Sequence, residues 1–203
     1  MSPSAAGLHE HFEQEHALHD DPWSVTSRWY EIRKRAITLA SLPDEHYGQV
    51  LEVGCSIGVL TEELARRVDR VLAVDVAESA LSRARERLAP LTHVEVARVD
   101  VGEGLPPGPW DLIVLSEVAY YLSRDRLSDL VSRIEEQLAP TGVLLACHWR
   151  RDEPDFVQTG DAVHRLIAFE SMLSRLVHHE EADFVLDVFG VDDRSVARRT
   201  GIV

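Results

Sequence analysis

The stretch Val50-Leu51-Glu52-Val53-Gly54-Cys55-Ser56-Ile57-Gly58-Val59-Leu60-Thr61 decides the fold class. Gln49 to Val53 reads as a short buried strand, Gly54 as the tight turn that ends it, and Gly58 as the start of a helix running to Val68. Glycine at 54 gives the turn its backbone freedom and lets a ligand come against the main chain. The helix start leaves unpaired N–H groups facing the crevice beyond the carboxyl ends of the strands. Asp75 follows Gly54 by 21 residues, at the end of the next strand. A carboxylate there can accept both hydroxyls of an adenosine ribose, or it can cap the helix that follows.

Outward from this turn, strands and helices alternate. Arg70 to Val74 is a second apolar strand, Ala77 to Leu88 a second helix and Val94 to Val99 a third strand. A Gly/Pro-rich loop from Gly102 to Pro109 leads to a fourth strand, Trp110 to Leu115. Asp125 to Leu138 is a helix stopped by Pro140, and Gly142 to His148 is a fifth strand. Asp161 to Leu173 is helical. Leu176 to Glu181 and Phe184 to Val191 are β-rich and separated only by Ala182 and Asp183, which forces an antiparallel hairpin. Near-continuous apolar runs mean strands covered on both faces, so the core is a parallel sheet flanked by helices. Upstream, Val25, Trp29, Ile32, Ala36, Leu39 and Ala40 recur at three- and four-residue steps, which predicts an amphipathic helix from Ser24 to Leu42 ended by Pro43. Residues 1–20 are polar, with His9, His11, His16 and His19 among acids. His9 and His16 could share a helical face and hold zinc; the reading adopted is a frayed, flexible terminus without a metal site.

The chain has 203 residues, 45% hydrophobic and 28% charged, which fits one domain able to bury its own core. Two cysteines, Cys55 and Cys147, exclude a disulfide framework and read as small buried apolar residues. No apolar run reaches the length of a membrane span, and the first residues lack a secretory pattern, so a cytoplasmic protein is expected. Thirty-five acids against 21 bases give a formal charge of −14, a field that repels phosphate backbones and anionic lipid. Neither nucleic acid nor membrane is an expected partner; oligomeric state is not readable.

Two ligand families use a glycine turn followed by such an acid. Dinucleotide binders need Gly-x-Gly-x-x-Gly so that a pyrophosphate can rest on the helix end. This chain has Gly-x-x-x-Gly, with Ser56 in the place of the middle glycine and Glu52 two residues before the turn. A carboxylate there suits a ligand carrying an ammonium and a sulfonium. Glu52-Val53-Gly54-Cys55-Ser56-Ile57-Gly58 with Asp75 and Asp100 resembles the core of class I S-adenosylmethionine-dependent methyltransferases. Ser56 departs from a glycine often found there. Asp21-Pro22-Trp23, Trp29-Tyr30-Glu31, Leu115-Ser116-Glu117-Val118-Ala119-Tyr120-Tyr121-Leu122, His148-Trp149-Arg150 and Thr159-Gly160-Asp161-Ala162-Val163-His164 resemble, within that class, the rhizobial nodulation N-methyltransferases, which methylate the free amine of a deacetylated chitooligosaccharide. The likeness spans residues 20 to 190.

The resemblance implies an α/β, Rossmann-like, doubly wound, seven-stranded, mostly parallel sheet with a C-terminal antiparallel hairpin. It divides the chain into a flexible terminus (1–20), a lid helix (21–46) and a methyltransferase domain (47–203). S-adenosylmethionine is the implied cofactor, framed by Gly54, Cys55 and Gly58. Glu52 would orient its amino group, Asp75 its ribose, Asp100 and Val101 its adenine amino group, and Val76 would pack on the ring. Ser116, Trp29 and Tyr30 complete the set, the last two reaching the methionine carboxylate from the lid. For a small soluble acceptor, most simply the amine of an amino sugar or oligosaccharide, Glu117 and His148 are the candidate bases. Tyr120, Tyr121, Trp149, Asp161 and His164 are the candidate substrate contacts. An O- or S-methyltransferase on the same core is the alternative, because the cofactor half does not report the nucleophile.

Overall fold

The computed structural model describes residues 5–203. Seven strands form one sheet: β1 (Tyr47–Val53), β2 (Val68–Asp75), β3 (Val94–Arg98), β4 (Trp110–Ser116), β5 (Leu138–Trp149), β6 (Ser174–Glu180) and β7 (Phe184–Gly190). Their order is β3-β2-β1-β4-β5-β7-β6. The first five strands pair in parallel; β7 runs antiparallel to both β5 and β6. The strand order reverses at β1, between β2 and β4, which opens a crevice beyond the carboxyl ends of those strands.

The apolar runs hide a period of two. Leu51, Val53, Ile113 and Leu115 face one side of the sheet, against Leu127, Leu130 and Ile134 of α5 (Arg124–Gln137) and Val163 and Ile167 of α6 (Gly160–Glu170). Val50, Val71, Leu112 and Val114 face the other side. They pack with Tyr30 and Ile37 of α2 (Trp29–Ala40), Leu64 of α3 (Val59–Leu64) and Leu81 of α4 (Glu78–Leu88). Both faces are thus sealed, and the sheet has the doubly wound architecture that its apolar strands predict.

Several boundaries differ from the sequence reading. The helix after Gly58 is only α3, because a 3-10 turn at 65–67 delivers the chain into β2 at Val68. β5 begins at Leu138 and passes through Pro140, four residues before the expected strand. α2 starts at Trp29 because Asp21 organises the preceding segment: its carboxylate accepts from Val25 N, Thr26 N and the Thr26 hydroxyl at 2.6–3.0 Å. The largest correction concerns the N-terminus. Residues 5–18, expected to be flexible, form α1 (Ala5–Leu18); residues 1–4 of that segment lie outside the described residues. α1 docks on α4, where the Glu13 carboxylate accepts from Ser79 N at 3.1 Å and Arg83 donates to His16 O at 2.6 Å. Its apolar periodicity is weak because polar bonds to α4 and ring contacts hold it, rather than a stripe on the core. No helix among the described residues is long and apolar enough to cross a membrane.

Candidate functional site

A cavity of about 800 Å³ opens at the ends of β1, β2, β4 and β5, roofed by α1 and α2. The glycine turn forms its floor. Gly54, Ser56 and Gly58 have φ of 76°, 49° and 78°. A Cβ at Gly54 would lie 2.1 Å from Val118 Cγ2, so the turn admits only glycine there. Ser56 tolerates its left-handed backbone because Asp75 Oδ2 accepts from its N–H at 2.9 Å. Asp75 Oδ1 accepts from Ala77 N at 3.0 Å, so this carboxylate serves both the turn and the entry to α4 while lining the cavity. Gly58, expected to frame a ligand, is not on the wall: a Cβ there would meet Leu88 Cδ1 at 2.9 Å, and the glycine lets α3 pack on α4.

Three polar atoms on this wall are buried without partners, Glu52 Oε2, Tyr30 Oη and His16 Nδ1. Burial pushes the Glu52 carboxyl up to about 8; Thr61 opposes the rise and the Asp75 charge adds to it. Burial likewise raises the Tyr30 phenol, whose ring carries the Lys34 ammonium 5.2 Å from its centroid. Cys55 is a buried thiol on the same wall, raised by burial.

Lys34 is the sequence's single lysine. It is 8% exposed, with Nζ 2.7 Å from Glu117 Oε1 and 3.1 Å from Glu31 Oε2. Burial works against its charge, but the two carboxylates overcome this and hold it cationic. Glu117 follows Ser116 at the end of β4 with φ 58°, an uncommon backbone for a non-glycine residue. Besides Lys34 on Oε1, its carboxylate accepts on Oε2 from the Tyr120 hydroxyl at 2.8 Å and from Trp149 N at 2.9 Å. These bonds and Lys34 hold the strained residue in place.

On the second side of the cavity, Asp100 Oδ1 accepts from Gly102 N at 2.8 Å and Oδ2 lies 3.1 Å from His9 Nε2 of α1. Val76 and buried Val101 line the wall beside it. The third side is aromatic. Tyr120 stacks on Phe156 at 3.8 Å, Tyr121 meets Phe12 of α1 edge-on at 4.9 Å, and Trp149 meets Tyr30 at 5.5 Å. Glu153 and Asp155 complete this wall.

Four further expected residues lie off the cavity wall. Trp29 is 72% exposed at the first turn of α2. Asp161 is held by Arg150 at 2.7 Å. His148 is fully buried: Nε2 accepts from Ala119 N at 3.2 Å, and Nδ1 lies 3.0 Å from His164 Nε2, itself buried. Burial and the neighbouring His164 and Lys34 keep His148 neutral. With its lone pair taken by a backbone N–H, His148 does not fit the expected part of general base, nor His164 and Asp161 that of substrate contacts.

Sequence reading passed over Lys34, Glu31, Phe156 and the inner face of α1. A lone lysine among arginines was a usable signal for the first. His9, Phe12 and His16, at steps of three and four, were the signal for the last: all three line the cavity, and His16, 2% exposed, approaches Ser56 Oγ at 3.5 Å.

The sequence profile of the Nodulation protein S (NodS) family matches residues 4–153. Nodulation protein S of Rhizobium tropici is 34% identical over 128 residues, covering 62% of this chain and 54% of that protein. This chain spans 54–66% of the length of four such nodulation proteins S. The crystal structure of N-methyltransferase NodS from Bradyrhizobium japonicum WM9 in complex with S-adenosyl-L-homocysteine superposes with a TM-score of 0.79 at 28% identity, covering 90% of this chain and 97% of that one. A protein from Pseudomonas syringae superposes at 0.72 with 41% identity, over 80% and 99% of the two chains. With the family's profile running from the N-terminal roof through the glycine turn to the end of β5, this chain belongs to the Nodulation protein S family.

Proposed function

We propose that this protein, acting in the cytoplasm, transfers a methyl group from S-adenosylmethionine to a small acceptor, the amine of an amino sugar. The observation that carries this reading is a pair among the buried, unpartnered atoms on the wall beside the Gly54 turn, Glu52 Oε2 and Tyr30 Oη. A carboxyl that can ionise and a phenol that can donate are what the ammonium and carboxylate of an amino-acid tail need. Leaving both unsatisfied in a cavity reserved for nothing polar would be costly. Asp75 retains acceptor capacity for ribose hydroxyls, Asp100 and Val101 N–H suit an adenine edge, and Val76 offers it an apolar face. The N-methyltransferase activity of the Bradyrhizobium japonicum relative supports this reading.

When bound, S-adenosylmethionine supplies a methyl group activated on a sulfonium. The chain's own work is alignment and exclusion of water. Tyr120, Tyr121 and Trp149 offer flat faces for a sugar ring. Glu117, already engaged with Lys34, Tyr120 and Trp149 N–H, attracts and orients a cationic amine, and desolvation in this aromatic-walled space favours loss of the amine's proton. A polyanionic acceptor such as RNA is disfavoured by the −14 charge. The test is incubation with S-adenosylmethionine and a panel of glucosamine oligomers, phenols and thiols, read by mass spectrometry. Methylation of the amino sugars supports the reading. Methylation of phenols or thiols alone transfers it to the O- or S-alternative, and a calorimeter registering no heat with S-adenosylhomocysteine removes the cofactor assignment.

A further inference from the structure

Beneath the turn that carries Tyr120 and Tyr121 runs a chain of buried hydrogen bonds. Ala119 N lies 3.2 Å from His148 Nε2, and His148 Nδ1 lies 3.0 Å from His164 Nε2. His164 Nδ1 lies 2.7 Å from Asp187 Oδ2, and Asp187 Oδ1 lies 2.8 Å from His178 Nδ1. His148, His164 and Asp187 are each at most 4% exposed. A backbone N–H can only donate, so His148 Nε2 must carry the lone pair and its proton must sit on Nδ1. That proton faces His164 Nε2, which must then accept, leaving the His164 proton on Nδ1 toward Asp187. From Ala119 to Asp187, one arrangement of protons satisfies every member.

We propose that His148 is a positioning residue: its tautomer, fixed through His164 by Asp187, anchors Ala119 and so sets the aromatic wall of the cavity. This rests on the methyl-transfer reading only for its consequence in turnover. The anchor matters because Ala119 is the pivot of a small network. Val118 before it packs on Gly54. Tyr120 after it donates to Glu117, stacks on Phe156, and accepts from Val157 N and Gln158 N at 3.0 and 3.2 Å through its carbonyl. A displacement at Ala119 therefore reaches the glycine turn, the Glu117 carboxylate and the segment 156–158 together.

An added proton breaks the chain wherever it lands. On His148 Nε2 it opposes the Ala119 N–H; on His164 Nε2 it opposes the His148 Nδ1–H, and shifting that proton across the ring again opposes Ala119. The charged and titratable groups around the pair are Lys34 from α2, Glu117 and Tyr120 from the end of β4, Arg150 after β5, Asp161 from α6, Asp187 from β7, and Arg175 and His178 from β6. Only Asp187 bonds directly to either ring.

The first test is long-range ¹H–¹⁵N correlation on protein labelled at histidine. It should show the Nδ1–H tautomer at both His148 and His164 near neutral pH; an Nε2–H tautomer at His148 overturns the proposal, whatever the acceptor. The second compares two variants, because an asparagine amide can replace Nδ1 and a glutamine amide can replace Nε2. His148→Asn, which loses the acceptor for Ala119, should lower kcat with a glucosamine tetramer by about tenfold to a hundredfold and weaken S-adenosylhomocysteine by a smaller factor. His148→Gln, which keeps that acceptor, should recover most of kcat. Equal losses in both variants, or unchanged kcat in His148→Asn, overturn the proposal. If the unaltered protein methylates nothing, the functional reading falls, while the tautomers and the Ala119 amide shift in His148→Asn still decide the positioning role.

Discussion

At the scale of the residue, Glu52 joins sequence, burial and function most directly. It sits inside a strand where an apolar residue would pack better, and its carboxyl lacks a partner on Oε2. Its folded pKa of about 8 lies above the ordinary value of 4.5. The folded state therefore keeps a proton that the unfolded chain releases, so this contribution to stability is whole below pH 4.5 and is lost as pH rises through 8. The loss for the ligand-free protein should be up to about 5 kcal/mol, seen as a falling denaturation midpoint that Glu52→Gln flattens. Binding an ammonium beside Glu52 favours the ionised form, so S-adenosylhomocysteine should release a proton on binding near pH 7. Calorimetry in two buffers of different ionisation enthalpy measures that release, and identical heats would remove Glu52 from the ligand's charge balance.

At the scale of the element, α1 shows how a polar segment becomes part of a site. Its contacts are caps and rings rather than a hydrophobic stripe: Glu13 on Ser79 N, Arg83 on the His16 carbonyl, Phe12 on Tyr121 and Trp23. The Glu13 carboxylate also meets the positive end of α4. Glu13→Ala should cost about 1 kcal/mol, in the range of a lost helix cap. Hydrogen exchange should then quicken at Ser79 and along α1, with β1 and β4 unchanged. Protection in α1 equal to that of the unaltered protein would mean that the aromatic contacts alone hold the roof.

At the scale of the whole molecule, stability should pass through a maximum in pH. Burial lowers the pKa of His148 and His16 from 6.5, so their contributions are present above that value and are lost as pH falls. Glu52 acts in the opposite direction between pH 4.5 and 8, and alone of the three above 6.5. A denaturation series from pH 5 to 9 should therefore show a dome, and a flat profile would contradict the burial of all three groups. The sequence by itself determined the doubly wound sheet, because apolar runs, turn glycines and the short gap before β7 are local patterns that each strand carries whole. It also marked Gly54, Asp75 and Asp100 as cavity residues, since residues at the carboxyl ends of neighbouring parallel strands must face one crevice. Only the tertiary structure decided the fate of His148 and the pairing of Lys34 with Glu117, 83 positions apart. The sequence puts His148 at the end of a strand, but whether its ring meets solvent or His164 depends on how α6 and β7 pack around it. A helix such as α1, stabilised by caps to a distant element rather than by its own apolar stripe, likewise has no periodic signature strong enough to read before the chain has folded.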